Sequence, residues 1–123
     1  MTDVDVALSG RVAVARPAED IDAANAEEIR MLLSAAVDER CETLIVDLCG
    51  VSYLDSAGID MLFRLVALLA DRRTSVRVAI PEGTPLRKLA EIVALADVAP
   101  LDASVEAALA AAHGRDPGHA SEP

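Results

Sequence analysis

The chain has 123 residues and a formal net charge of −10, and 53% of it is hydrophobic with no Trp. That length suggests one domain, able to bury about two-thirds of its unfolded surface without help from metal or disulfides. So acidic a chain argues against nucleic acid and against anionic membrane surfaces, both of which need clustered Lys and Arg.

Tyr53 and Phe63 are the only aromatic residues, so the core must be built from Val, Leu, Ile and Ala. Residues 4–10 (VDVALSG) and 11–17 (RVAVARP) read as two short strands joined at Ser9-Gly10, with Pro17 ending the second. Residues 22–40 read as a helix with Asp22 as N-cap, Glu27 and Glu28 near its positive end, and an apolar face of Ala26, Ile29, Leu33, Ala36 and Val37. TLIVDL (43–48) is β-branched without clean alternation, the mark of a strand buried on both faces.

Residues 56–72 form the next predicted helix, with Ile59, Leu62, Phe63, Val66, Leu69 and Ala70 as its core face. SVRVAI (75–80) is a strand stopped by Pro81. A helix over 84–95 opens with Thr84 as N-cap and Pro85 in its first turn. VAPL (98–101) is a last short strand, and residues 102–112 are a helix capped by Asp102. The Gly/Pro-rich segment 113–123 reads as a disordered tail after a domain over 1–112. The order β-β-α-β-α-β-α-β-α implies an α/β fold with a mixed sheet of four to five strands and helices packed against it.

Enzymatic motifs are missing from the sequence. It has no GxxxxGK loop and no GxGxxG, and GVSYL lacks the second Gly of a nucleophile elbow. The only histidines, His113 and His119, fall in the predicted tail, so Ser52 and Ser56 lack an evident base. Asp47 or Asp55 as a receiver-like phosphoacceptor would need an acidic pair after the first strand, which instead ends in LSG. The two cysteines, Cys41 and Cys49, have no metal-site spacing and read as small core residues in a reducing compartment. The first residues carry acids where a signal peptide carries bases, and the apolar runs are too short to span a bilayer. The expectation is therefore a cytoplasmic, non-enzymatic protein without cofactor or metal.

One stretch stands out: VDLCGVSYLDSAGIDML, residues 46–62, where apolar sequence breaks at Asp-Ser-Ala-Gly before becoming apolar again. A Ser or Asp there is an ordinary start for the helix, and either Asp55 or Ser56 can cap. Ser52 with Asp55 also fits a capping box, but a helix from Ser52 would carry Gly58 in its second turn at a cost of about 1 kcal/mol. A start near Ser56 is the better reading.

The same stretch resembles the signature of the STAS domain of anti-sigma factor antagonists, and the order of elements is similar over residues 4–112. A second family segment, Gly-Glu-Leu-Asp-like, corresponds to Glu19–Asp22 (EDID); Ile21 and Asp22 match, while Glu19 stands where Gly is usual. The resemblance implies that Ser56 is phosphorylated by a partner anti-sigma factor with a histidine-kinase-like ATPase domain and Ser kinase activity. It implies that the unphosphorylated domain binds that kinase and frees the sigma factor, and that a phosphoserine phosphatase resets the switch. The partner-binding surface is then expected to include Asp22, Asp55, Ser56, Ala57, Gly58, Ile59 and Met61, with Gly58 leaving room for a close partner backbone and Met61 facing the partner. The alternative is a non-switching STAS subunit of a lipid-transport or stress-sensing assembly, in which Ser56 is only a cap.

Overall fold

The computed structural model describes residues 2–114. Strands β1 (Val4–Ser9) and β2 (Val12–Pro17) form an antiparallel hairpin. Its two-residue turn is Gly10-Arg11, and Gly10 takes the positive φ (62°) that such a turn needs at its first central position. Strands β3 (Thr43–Asp47), β4 (Ser75–Ala79) and β5 (Leu101–Asp102) follow in parallel, so the five-stranded sheet runs β1-β2-β3-β4-β5. Helix α1 (Ala26–Ala35) connects β2 to β3, and α2 (Ser56–Asp71) connects β3 to β4. Helix α3 (Pro85–Ile92) and a 3-10 turn (Leu95–Asp97) lead into β5, and α4 (Val105–Ala112) closes the described chain.

Both faces of the sheet are covered at its centre, so every residue of β3 is buried. On one face Ala13, Ala15, Leu44, Val46, Val76 and Val78 meet Ile29 and Leu33 of α1, Met61, Leu62, Leu65 and Leu69 of α2, and Leu86 and Ala90 of α3. On the other, Val12, Ile45 and Ala79 meet Ala108 of α4. This aliphatic two-layer packing is the core that the composition demanded. Cys41 and Cys49 are free thiols, the first buried and the second half-buried.

Several boundaries differ from the sequence reading. Helix α1 starts at Ala26, not at Asp22. Residues 22–25 form a turn in which the Asp22 carbonyl accepts from Asn25 and Ala26, and the Asp22 side chain accepts from Ala24 N at 2.9 Å. Asp22 therefore closes its own local turn, as Asp often does. The helix ends at Ala35, and Asp38 turns the chain by accepting from Arg40 N and Cys41 N.

Asp102 does not cap α4. Its carboxylate holds Arg77 of β4 through two bonds of 2.8 and 3.0 Å, which anchors it in β5, and Ser104 caps the helix at Ala107 N instead. Thr84 and Pro85 open α3 as predicted, the Thr84 hydroxyl accepting from Arg87 N. The predicted tail at 113–123 lies outside the described residues except for His113 and Gly114, whose amides bond back to Leu109 and Ala111 at the end of α4.

Candidate functional site

The site is the junction between the 19–25 segment and the loop from β3 into α2. Asp55 is the N-cap of α2: its backbone is extended and its Oδ1 accepts from Gly58 N at 3.0 Å. Its other oxygen, Oδ2, accepts from Ala23 N at 3.1 Å. The backbones of the two segments pair as a short parallel bridge between Ile21 and Leu54, with Tyr53 O accepting from Ile21 N and Ile21 O accepting from Asp55 N, both at 3.2 Å.

A second carboxylate works in the opposite direction. Asp20 Oδ1 accepts from Ser52 N at 2.8 Å and from Tyr53 N at 3.2 Å. Each segment thus supplies a carboxylate that satisfies amides of the other. Asn25 ties the inner turn together, donating from Nδ2 to Asp20 O (2.9 Å) and to Glu19 Oε1 (3.0 Å). Glu19, standing where Gly is usual, also accepts from the Thr2 hydroxyl at 3.3 Å, so its side chain is used to fasten the N-terminus of the chain.

Because Asp55 performs the capping, Ser56 does not. It is the first residue of α2 and is exposed, at the end of the helix where amides are free and the dipole is positive. Asp22 and Tyr53 are exposed nearby, Asp55 and Ala57 are half-buried, and Asp60 is exposed one turn further on. The surface around the hydroxyl is therefore acidic.

Gly58 and Met61 are placed differently from the partner-facing roles expected for them. Gly58 is buried, and a Cβ there would stand 3.1 Å from Ile21 O, 3.2 Å from Ile21 Cγ2 and 3.2 Å from Leu54 Cδ2. The glycine allows α2 to approach its own chain, which leaves no space for a partner backbone. Met61 is 3% exposed. Helix α2 is covered by the sheet on one side and by α1 on the other, so the Met61, Leu65, Leu69 line is buried along with Leu62, while Ile59, Phe63 and Val66 are only half-buried. Met61 reaches the surface only as part of the floor of a shallow groove between α1 and α2 of about 220 Å³. The rims of that groove carry the ion pairs Glu27–Arg30 and Asp60–Arg64, and the hydrogen bond from Arg30 holds the Glu27 carboxyl below its usual range.

Asp20 is the residue of this junction that the sequence reading missed. The signal was present in EDID, but a carboxylate that binds amides 32 and 33 residues away is indistinguishable in sequence from one facing solvent. Among the described residues, no group of three or more His, Cys, Asp or Glu is placed to hold a metal, and no helix is long and apolar enough to cross a membrane.

The sequence model of the STAS domain family matches residues 3–108. The chain belongs to the STAS domain family. No curated protein sequence matches it significantly. Among solved structures, this STAS domain is similar to an anti-sigma factor antagonist from Mycobacterium paratuberculosis, at 23% identity and a TM-score of 0.80, over 92% of this chain and 95% of that one. It is also similar to the Bacillus cell fate determinant SpoIIAA in its phosphorylated form, at 20% identity and a TM-score of 0.59, over 87% and 96%. The murine anion transporter Slc26a9 contains a similar fold in 18% of its length, which matches 87% of this chain at 19% identity and a TM-score of 0.75. The architecture is thus that of the STAS fold, with five strands and four helices.

Proposed function

We propose that this STAS domain is an anti-sigma factor antagonist that binds an anti-sigma factor in its unphosphorylated state and is switched off by phosphorylation of Ser56. The observation that carries the reading is the division of labour at the start of α2, where Asp55 caps and Ser56 is left exposed. A serine without a capping duty can enter another protein's kinase site without loosening the helix it begins.

The electrostatics fit an off-switch. A phosphate adds about −1.5 to −2 charge, next to Asp55 and Asp60 on a chain already at −10. The free amides of α2 and its dipole tolerate that phosphate within the domain. A partner docked over it meets repulsion and the cost of desolvating it, so binding suffers more than folding. The chain supplies no catalytic group in this scheme; an ATP-binding Ser kinase domain of the anti-sigma factor brings Mg·ATP and the base, and a phosphoserine phosphatase restores the hydroxyl. The docking surface comprises Asp22, Asp55, Ser56, Ala57 and the exposed part of Ile59. Gly58 and Met61 support it from beneath. The existence of SpoIIAA structures in phosphorylated and unphosphorylated forms, both with this fold, supports the reading.

A second reading, a non-switching subunit of a larger assembly, is favoured by the likeness to part of an anion transporter. Titration of an anti-sigma factor with Ser56→Asp and Ser56→Ala separates the two. The switch predicts that Ser56→Asp binds at least tenfold more weakly, about 1.4 kcal/mol, while Ser56→Ala binds as the wild type does. Equal affinity for all three would leave Ser56 without a switching role.

A further inference from the structure

Tyr53 stands three residues before Ser56 and is 55% exposed. The chain has one other aromatic residue, Phe63, which is half-buried against the core. Among the large hydrophobic residues that the described surface exposes, Val6, Leu8, Met31, Ile92 and Val98 lie elsewhere, and Tyr53 alone belongs to the junction that presents Ser56. A ring more than half in water contributes little to the fold through burial.

The backbone sets that exposure. Leu54 pairs with Ile21 and is buried, 4% exposed. Side chains alternate sides along an extended segment, so Tyr53 and Asp55 turn to the side opposite Leu54. Tyr53 N donates to Asp20 Oδ1 and Tyr53 O accepts from Ile21 N, both at 3.2 Å. With both backbone groups held, only the two torsions of the side chain are left for a binding partner to fix. A large ring on a preset backbone offers contact area at low entropic cost.

The position of the ring also decides what covers it. Three residues span at most about 10 Å. An interface of about 800 Å² per partner, drawn as a disc around Ser56, reaches about 16 Å from its centre. A kinase domain that takes Ser56 into its active site through an interface of that size therefore covers Tyr53 as well.

We propose that Tyr53 is the anchor by which this domain holds the anti-sigma factor kinase, its ring seated in an apolar pocket of that partner. The proposal rests on the reading of Ser56 as the phosphorylated residue, and it adds a specificity-determining residue to that site. Aromatic side chains near the centre of an interface carry a disproportionate share of its binding energy. The ring takes no part in phosphoryl transfer; it fixes where the Ser56 hydroxyl enters the kinase.

Tyr53 is the only tyrosine, so the intact protein made with fluorotyrosine gives a single fluorine resonance, from this residue. Titration with the cognate anti-sigma factor kinase is expected to shift that resonance. Tyr53→Ala is expected to bind at least tenfold more weakly, about 1.4 kcal/mol. It is expected to raise KM for phosphorylation of Ser56 by a similar factor and to leave kcat unchanged, because the ring binds equally in the ground and transition states. Tyr53→Phe keeps the ring and is expected to behave as the wild type. Urea denaturation is expected to give all three the same stability, because both hydrogen bonds of residue 53 come from its backbone. A fluorine resonance unmoved at saturation, Tyr53→Ala binding as the wild type does, or a fall in kcat at unchanged KM would each overturn the anchor while phosphate still arrives on Ser56. Tyr53-dependent binding without phosphate on Ser56 would support the anchor and overturn the switch.

Discussion

Asp55 and Ala23 are 32 residues apart in sequence, and the carboxylate of one accepts from the amide of the other at 3.1 Å. The same carboxylate caps α2 through its second oxygen. One side chain thus starts the helix that presents Ser56 and fastens that start to the segment before α1. Ser56 itself is relieved of both tasks.

A stability contrast between neighbours follows. Asp55→Ala removes an N-cap and a hydrogen bond between segments and is expected to cost about 1–3 kcal/mol. Ser56→Ala removes neither and is expected to stay within about 0.5 kcal/mol of wild type. Urea denaturation of the two variants measures this directly. A loss at Ser56→Ala as large as that at Asp55→Ala would mean that the serine caps after all.

Asp20→Ala leaves the amides of Ser52 and Tyr53 without their carboxylate. Those two amides are exposed to solvent once released, so their hydrogen exchange is expected to accelerate while Ile45 and Val46, fully buried at the sheet centre, keep the slowest rates in the protein. Unchanged exchange at Ser52 and Tyr53 would show that Asp20 does not hold the loop.

Gly58→Ala sets two effects against each other. Alanine favours a helix interior over glycine by about 1 kcal/mol, but the new Cβ would press on Ile21 O at 3.1 Å, a backbone atom already bonded to Asp55 N. Backbone held in this way yields poorly, so the expected result is a net loss of stability, larger again for Gly58→Val. A stabilised Gly58→Ala would show that the Ile21–Leu54 bridge can move aside.

Cys49 gives a prediction in pH. Burial, followed by the hydrogen bond and charge of Asp47, raises its thiol from 9.0 to about 11. The native thiolate is scarce at neutral pH, and labelling by a thiol reagent is expected to be slow and to rise steeply with pH, because the thiolate is the nucleophile. The unfolded chain releases this proton near 9 and the native chain near 11. Between those values the unfolded state holds fewer protons, so Cys49 makes stability fall as pH rises through that window and has no such effect below it. Fast labelling of native Cys49 at neutral pH would contradict the buried, acid-flanked setting.

What was legible in the sequence is what local pattern and period determine. The order of elements, the doubly buried TLIVDL strand and the Thr84-Pro85 helix start all follow from residues within a few positions of one another. The boundaries that moved depend on distant partners. Asp102 was drawn into β5 by Arg77, leaving α4 to Ser104, and Asp22 closed a turn because Ile21 is pinned to Leu54. Helical spacing placed the apolar face of α2 on Ile59, Leu62, Phe63, Val66, Leu69 and Ala70; Leu62 and Leu69 are buried as expected, Ile59, Phe63 and Val66 only half so, and Ala70 is exposed. Met61 and Leu65 are buried as well, because α1 covers the side that the sheet does not. The Asp-Ser-Ala-Gly turn itself was visible, whereas the carboxylate exchange between Asp20 and Asp55 that holds it required the fold.

The most direct measurement of the central claim is phosphorylation of the intact protein by a cognate anti-sigma factor kinase with Mg·ATP. The site is mapped by mass spectrometry, and each form is then titrated with the kinase. The account predicts one phosphate, on Ser56, a folded product, and at least tenfold weaker binding of the modified form. Phosphate on Ser52, Ser9 or Thr43 with Ser56 untouched, or equal affinity of the modified and unmodified forms, would contradict it.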